Sequence, residues 1–198
     1  MLRHAATRVL LLAALAFAAM GCGSSAPTPT PDPGSPCAGA DEQRASGFYP
    51  DLEALLPADL EGRPPTSLDS GRYCSKKTLG SLLDAGVTEL RFAGATWSDA
   101  GGETGIALVI YRAPGLSVDA VADSFASGAG SARGVNQVHA QAIEIGGVHA
   151  VLITAISGDR PQIVAIRTHA GAGTVAVVIG SSVTQARVLA AAEIFAGP

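Results

Sequence analysis

Lysine is almost missing from this chain: Lys76 and Lys77 are the only two among 198 residues, and the arginines stand apart from one another. No polybasic stripe can be drawn, and acidic residues outnumber basic ones by 17 to 13. That balance excludes the electrostatic footprint of a nucleic-acid-binding protein, so no nucleic-acid partner is expected. Aromatic residues make up 5% of the chain, with a single tryptophan, too little stacking area for a sugar platform. Trp97 and Tyr111 read instead as core or rim aromatics near strand ends. Also lacking are a Gly-x-Ser-x-Gly elbow, a Ser-x-x-Lys pair, a His-Glu-x-x-His helix and a calcium-loop spacing. No catalytic residue is nominated, no cofactor is expected, and the chain reads as non-enzymatic. The isolated acids Asp99, Glu103, Asp119 and Asp159 fall on predicted turns and helix starts, where they solvate or cap.

Cysteine is scarce as well, three in all, and each one is informative. Residues 1–21 read as a signal sequence. Arg3, His4 and Arg8 form its basic start, and Val9 to Ala19 an apolar run too short to span a bilayer comfortably. The run closes as Ala18-Ala19-Met20-Gly21-Cys22, which resembles the lipobox of bacterial lipoproteins. The resemblance implies cleavage before Cys22 and acyl chains of the palmitate class on that cysteine, two chains being enough for stable membrane attachment. An ordinary secretory signal, leaving Cys22 a thiol, is the alternative, because Ala19 stands where leucine is usual. The location implied is the extracytoplasmic side of the cell membrane. Gly23, in place of aspartate, favours the outer membrane in a bacterium that has two. The resemblance covers the first 22 residues and carries no activity.

Cleavage would remove Arg3 and Arg8 from the thirteen basic residues, leaving 11 against 17 acidic ones, a formal charge of −6. Cys37 and Cys74 then form an even pair in an exported chain, which predicts a disulfide between them. In the chain-entropy picture such a loop contributes about 3 to 4 kcal/mol. Two cysteines with no nearby histidine do not make a tetrahedral zinc site, and no metal is expected. Residues 23–36 offer no apolar side chain larger than alanine or proline, and proline recurs at alternate positions. Residues 22–36 are therefore a lipidated cysteine and tether, reaching up to about 40 Å in the polyproline conformation, and residues 37–198 a single domain.

Along that domain, Leu52, Leu55 and Leu56 mark a short helix ended by Pro57, and residues 60–65 turn into a first strand. Residues 75–84 follow a helical pattern. The period then changes to two, giving strands over 87–97 and 104–112. Ser117 caps a helix that Gly128 to Gly134 should break. Four strands follow, near 137–145, 148–156, 162–168 and 174–180, joined by the glycine-bearing turns of a C-terminal meander. Ser182 with Gln185 matches a capping box for a last helix. The expectation is an α+β fold, a mainly antiparallel sheet of about six or seven strands with helices on one face.

Three histidines lie on or beside the meander: His139, His149 and His169. If Gly146-Gly147 and Gly158-Asp159 are two-residue loops, Ile145 pairs with Val148, and His139 falls opposite Thr154. His139 and His169 then share a face but stand roughly 20 Å apart along the strands, too far for one metal. His149 falls on the other face, opposite Glu144, as a cross-strand contact. Val151, Ile153, Val164, Ile166, Val175, Val177 and Ile179 gather on one face, which should bury under the helices. The opposite face mixes Ile143, Ile145, Leu152 and Ile163 with His139, Gln141, Thr154, Arg167, His169 and Thr174. His139, Gln141, Thr154, Arg167 and His169 are the candidate ligand-binding residues, with plain half-solvated sheet as the alternative. Gly171-Ala172-Gly173-Thr174-Val175-Ala176 has the letters of a dinucleotide fingerprint, but a strand follows where the motif needs a helix, so it reads as a hairpin turn. The functional expectation is a membrane-attached binding or interaction domain for a small molecule, a lipid or an envelope protein. A carrier of apolar ligands is the alternative, and an envelope hydrolase ranks below it.

Overall fold

The computed structural model describes residues 32, 34–37, 44–99, 101–102 and 104–195. Residues 1–21, Cys22 and most of residues 23–36, the expected signal sequence, anchor and tether, lie outside these residues. Seven strands form one antiparallel sheet: β1 (Ser67–Tyr73), β2 (Leu90–Ser98), β3 (Gly105–Arg112), β4 (Val135–Ile145), β5 (Val148–Ser157), β6 (Arg160–Thr168) and β7 (Thr174–Ser181). Their order across the sheet is β1-β2-β3-β7-β6-β5-β4. Among the described residues four α-helices accompany it, α1 (Pro50–Glu53), α2 (Lys76–Leu79), α3 (Val118–Ser131) and α4 (Gln185–Ile194), so the fold is α+β.

Glycine turns set the register of the outer strands. Gly146 and Gly147 both take positive φ, 59° and 75°, as a type I′ hairpin requires. Ile145 accordingly faces Val148, and His139 faces Thr154. Gly158 and Asp159 close β5 onto β6 and align Ala150 with Arg167. Both registers agree with the two-residue-loop reading. Further along β4 the register shifts between Asn136 and His139, where Gln137 has a φ of 53°. That bulge sets an extra residue into the edge strand.

Three helix expectations change. The segment after Ser75 is helical only to Leu79. Gly80, at φ 51°, interrupts it, and a 3-10 turn, Gly80–Leu83, follows. Helix α3, capped by Ser117 as expected, runs through Gly128 and Gly130 to Ser131. Helix α4 is capped by Thr184, whose side chain accepts from the Arg187 amide. Ser182 has a φ of 55°, whereas an N-cap residue is extended, so the predicted capping box does not form.

Both faces of the sheet are covered, which corrects the expectation of helices on one face. On the first face, Val118, Val121 and Ala122 of α3, with Leu79 and Leu82, pack over Val151, Ile153, Ile166, Val175 and Val177. On the second, Phe48, Tyr49 and Leu52 around α1 and Val188, Ala191, Ala192 and Phe195 of the α4 segment pack over Trp97, Leu108, Leu152, Ala165 and Val178. The reason is size. Ala93, Ala95, Ala150, Ala165 and Ala176 lie on this second face, and small side chains let a helix approach a sheet closely. At Gly180 an added Cβ would overlap the methyl groups of Val183 and Val188.

The N-terminal boundary is fastened covalently. Cys37 and Cys74 form a disulfide, with Cα atoms 5.7 Å apart and 37 residues of sequence separation. Just before it, Ser35 docks on the buried Arg72, which donates from Nη1 to the Ser35 carbonyl at 2.7 Å and from Nη2 to its hydroxyl at 2.8 Å. Contacts with the sheet thus begin before Cys37, at Ser35.

Candidate functional site

The five residues nominated from sequence separate into two groups at opposite ends of the second face. At one end His139 lies opposite Thr154, and Thr154 lies opposite Ile163. His139 and Gln141 are exposed there, and Thr154 is half-buried. At the other end sit Arg167 and His169, each 6% exposed. These two were expected on a half-solvated surface. Both are buried instead, and the His169 ring lies 5.8 Å from that of Phe195, just beyond α4.

Around Arg167 and His169 the fold assembles arginines that are remote in sequence. Arg72 of β1 pairs with Arg91 of β2, Arg91 pairs with Arg112 of β3, and Arg112 pairs with Thr174 of β7. The His169 amide then bonds to the Thr174 carbonyl at 3.1 Å. A single row across five strands or strand ends therefore reads Arg72, Arg91, Arg112, Thr174, His169. Arg167 stands one step inward, opposite Ala176.

Like charges directly opposite each other in a sheet repel, and carboxylates offset that repulsion for three of the arginines. Glu89 accepts from Arg91 Nε at 2.8 Å and lies 3.6 Å from Arg72. The hydrogen bond to Glu89 holds the Arg91 guanidinium above its ordinary pKa. The same guanidinium stands 5.3 Å from the centre of the Tyr49 ring, a cation–π contact. Asp51 pairs with Arg112 at 2.8 Å, and Arg112 Nε also donates to the Thr174 hydroxyl at 3.3 Å.

Arg167 differs from the other three. Its Nε donates to the carbonyl of Thr168 at 3.2 Å, while its Nη1 is buried without an acceptor. Burial lowers its pKa from the ordinary arginine value. His169 is also pushed down, first by burial, which outweighs the upward pull of its bond to the Ala170 carbonyl, with smaller downward contributions from the charges of Arg167 and Arg112. It is therefore neutral at pH 7, and the end of this face presents fixed arginine charge beside a neutral imidazole.

On the first face a cavity of about 100 Å³ lies under α3, lined by residues that include Tyr73, Leu90, Tyr111 and Phe125. Tyr73 stacks on Phe92 with ring centres 4.6 Å apart. Burial raises the pKa of the Tyr111 hydroxyl above its ordinary value. Trp97 is core, and its indole donates to the Arg63 carbonyl at 2.8 Å. His149 keeps its register opposite Glu144, but its bonded partner is Asp119 in the first turn of α3, 2.9 Å from Nε2. Among the described residues, no three His, Cys, Asp or Glu side chains converge as metal ligands.

The arginine row is the feature that sequence reasoning missed. Its members come from five strands or strand ends, and the β2–β3, β1–β2 and β3–β7 registers are not set by short glycine loops. Residue by residue the arginines look scattered, and only pairing aligns them.

No protein-family model matches this chain, and no curated protein matches it. Among solved structures, it is similar to the solution structure of a cyanobacterial PsbP (CyanoP) from Synechocystis sp. PCC 6803. That likeness has 14% identity and a TM-score of 0.32, covering 69% of this chain and 92% of the other.

Proposed function

We propose that this protein is a lipoprotein held on the extracytoplasmic side of a bacterial membrane by lipid on Cys22, and that its folded region is a binding domain and not an enzyme. The observation that carries the reading is the Cys37–Cys74 disulfide at the foot of the tether. A disulfide persists in an oxidising compartment, and this one closes the fold where the proline-rich segment ends. Binding over catalysis is supported by the chemistry of the arginine end. Its groups are fixed cations, a neutral histidine, and two carboxylates already engaged with arginine. Such a set holds charge and is poorly suited to moving protons. An apolar-ligand carrier has weaker support, because the cavity of about 100 Å³ beneath α3 is well below the roughly 300 to 1,000 Å³ of ordinary ligand pockets.

The test is metabolic labelling with an alkyne analogue of palmitate in a bacterial host. Label on the wild type that disappears in Cys22→Ser is the expected result. Export without label would leave a secreted protein and overturn the anchor. Turnover in a hydrolase panel, lost on substitution of a residue at the arginine end, would overturn the binding reading.

A further inference from the structure

We propose that Arg167, Arg112 and His169 form a binding site for a small oxyanion of the phosphate or carboxylate class. This deepens the binding reading above and does not depend on the anchor.

Arg167 is the anomaly from which the inference starts. An arginine buried in a sheet face ordinarily has a carboxylate or a full set of carbonyls, because an unanswered buried charge is costly. Arg72, almost fully buried on the same face, has Ser35 and Glu89. Arg167 has one backbone acceptor at Nε and none at Nη1. An apolar side chain would fill the same place more cheaply, so the retained guanidinium points to an acceptor that arrives from outside.

The surroundings fit a small anion. Between Arg167 and Arg112 the floor is β7, with Ala176 opposite Arg167 and Thr174 opposite Arg112. Two strand spacings and one same-face step separate the Cα atoms of the two arginines by roughly 12 Å, and the charges of both reach His169. The Thr174 hydroxyl accepts from Arg112, which leaves its own hydrogen to donate. Beneath Arg167 Nη1 lies Gly146, where a Cβ would come within 3.6 Å of that nitrogen. Phe195 closes the side next to His169. Access is from the Arg112 end, where the side chains of Arg112 and Asp51 are 36% and 64% exposed. Asp51 occupies the outer side of Arg112 and competes with any anion that reaches it. Because Arg167 is so nearly enclosed, a slender free ion suits the site, and a headgroup embedded in a bilayer does not.

The experiment is calorimetric titration of the processed, full-length protein in non-ionic detergent with sodium phosphate and sodium acetate. Sodium chloride at matched ionic strength is the control. The inference expects saturable one-to-one binding of phosphate or acetate and not of chloride. It expects Arg167→Met to weaken that binding about tenfold or more, the scale of a lost charge-assisted hydrogen bond. Should Arg167→Met fail to fold, Arg112→Gln, at a half-exposed position, carries the same test with a smaller loss. Asp51→Asn, which removes the competing carboxylate, is expected to tighten binding. The inference is overturned if chloride reproduces the phosphate signal, or if a folded Arg167→Met or Arg112→Gln variant binds as the wild type does. It is also overturned if phosphatidylglycerol vesicles bind while the free ions do not, which would assign the chemistry to a headgroup. A flat titration removes the oxyanion and leaves the binding-domain reading standing, since that reading is judged by the hydrolase panel.

Discussion

The two faces of the sheet are both buried, yet they are built by opposite means. The α3 face is filled by large β-branched side chains, Val151, Ile153, Ile166, Val175 and Val177, which meet α3 across a layer of their own bulk. The α4 face sets small residues, Ala93, Ala95, Ala150, Ala165, Ala176 and Gly180, among larger ones such as Leu108, Ile110 and Leu152, and α4 lies on it through Val188 and the equally small Ala191 and Ala192. The difference teaches where each face is fragile: the first should break when atoms are removed, the second when atoms are added.

The sharpest way to break this comparison is Ile166→Ala on the α3 face. Ile166 is fully buried, and its truncation should cost about 2 to 5 kcal/mol in urea unfolding. A cost below 1 kcal/mol would mean that this face repacks freely and the contrast is false. Next come additions on the other face. Gly180→Ala and Ala165→Val should each destabilise by about 1 to 3 kcal/mol, because one Cβ would overlap Val183 and Val188 and Ala165 is fully buried. Unchanged stability in both would show spare room under α4.

The smallest effect concerns pH. Burial and two neighbouring arginines depress the folded pKa of His169 below its ordinary 6.5, so between those two values the unfolded chain binds more protons. The resulting stability is complete above about pH 6.5 and is lost as the pH falls through the folded value. His169→Gln should flatten the stability profile between pH 7 and 5. An unaltered slope would mean that His169 is not held neutral.

The sequence was most legible where geometry is local. Gly146-Gly147 and Gly158-Asp159 permit only short hairpins, and the pairing of three strands follows by counting. Counting fails at Gln137, because its left-handed backbone has no glycine to announce it. It also fails at Ser182, whose backbone conformation is set by tertiary packing and not by its capping propensity. The second covered face was hidden for a different reason. Ala150, Ala165 and Ala176 carry little hydrophobic signal, so the face looked mixed and half-wet, although small residues are what a closely packed helix needs. Of the nominated ligand residues, Arg167 and His169 share one end of the face, while His139, Gln141 and Thr154 share the other. The partners that complete the first group, Arg112 and Thr174, are joined to it only by long-range pairing.

The disulfide has a mechanical consequence. Once the Ser35 bonds to Arg72 yield, any pull arriving through the residues that precede Cys37 passes into Cys74, just beyond the end of β1. The intervening segment, which contains α1 and the whole of β1, forms a closed loop outside the line of force. An edge strand near the N-terminus would ordinarily be the first to peel under tension. Here it is sheltered, and the load falls on the stretch that begins at α2 and continues into the interior of the sheet.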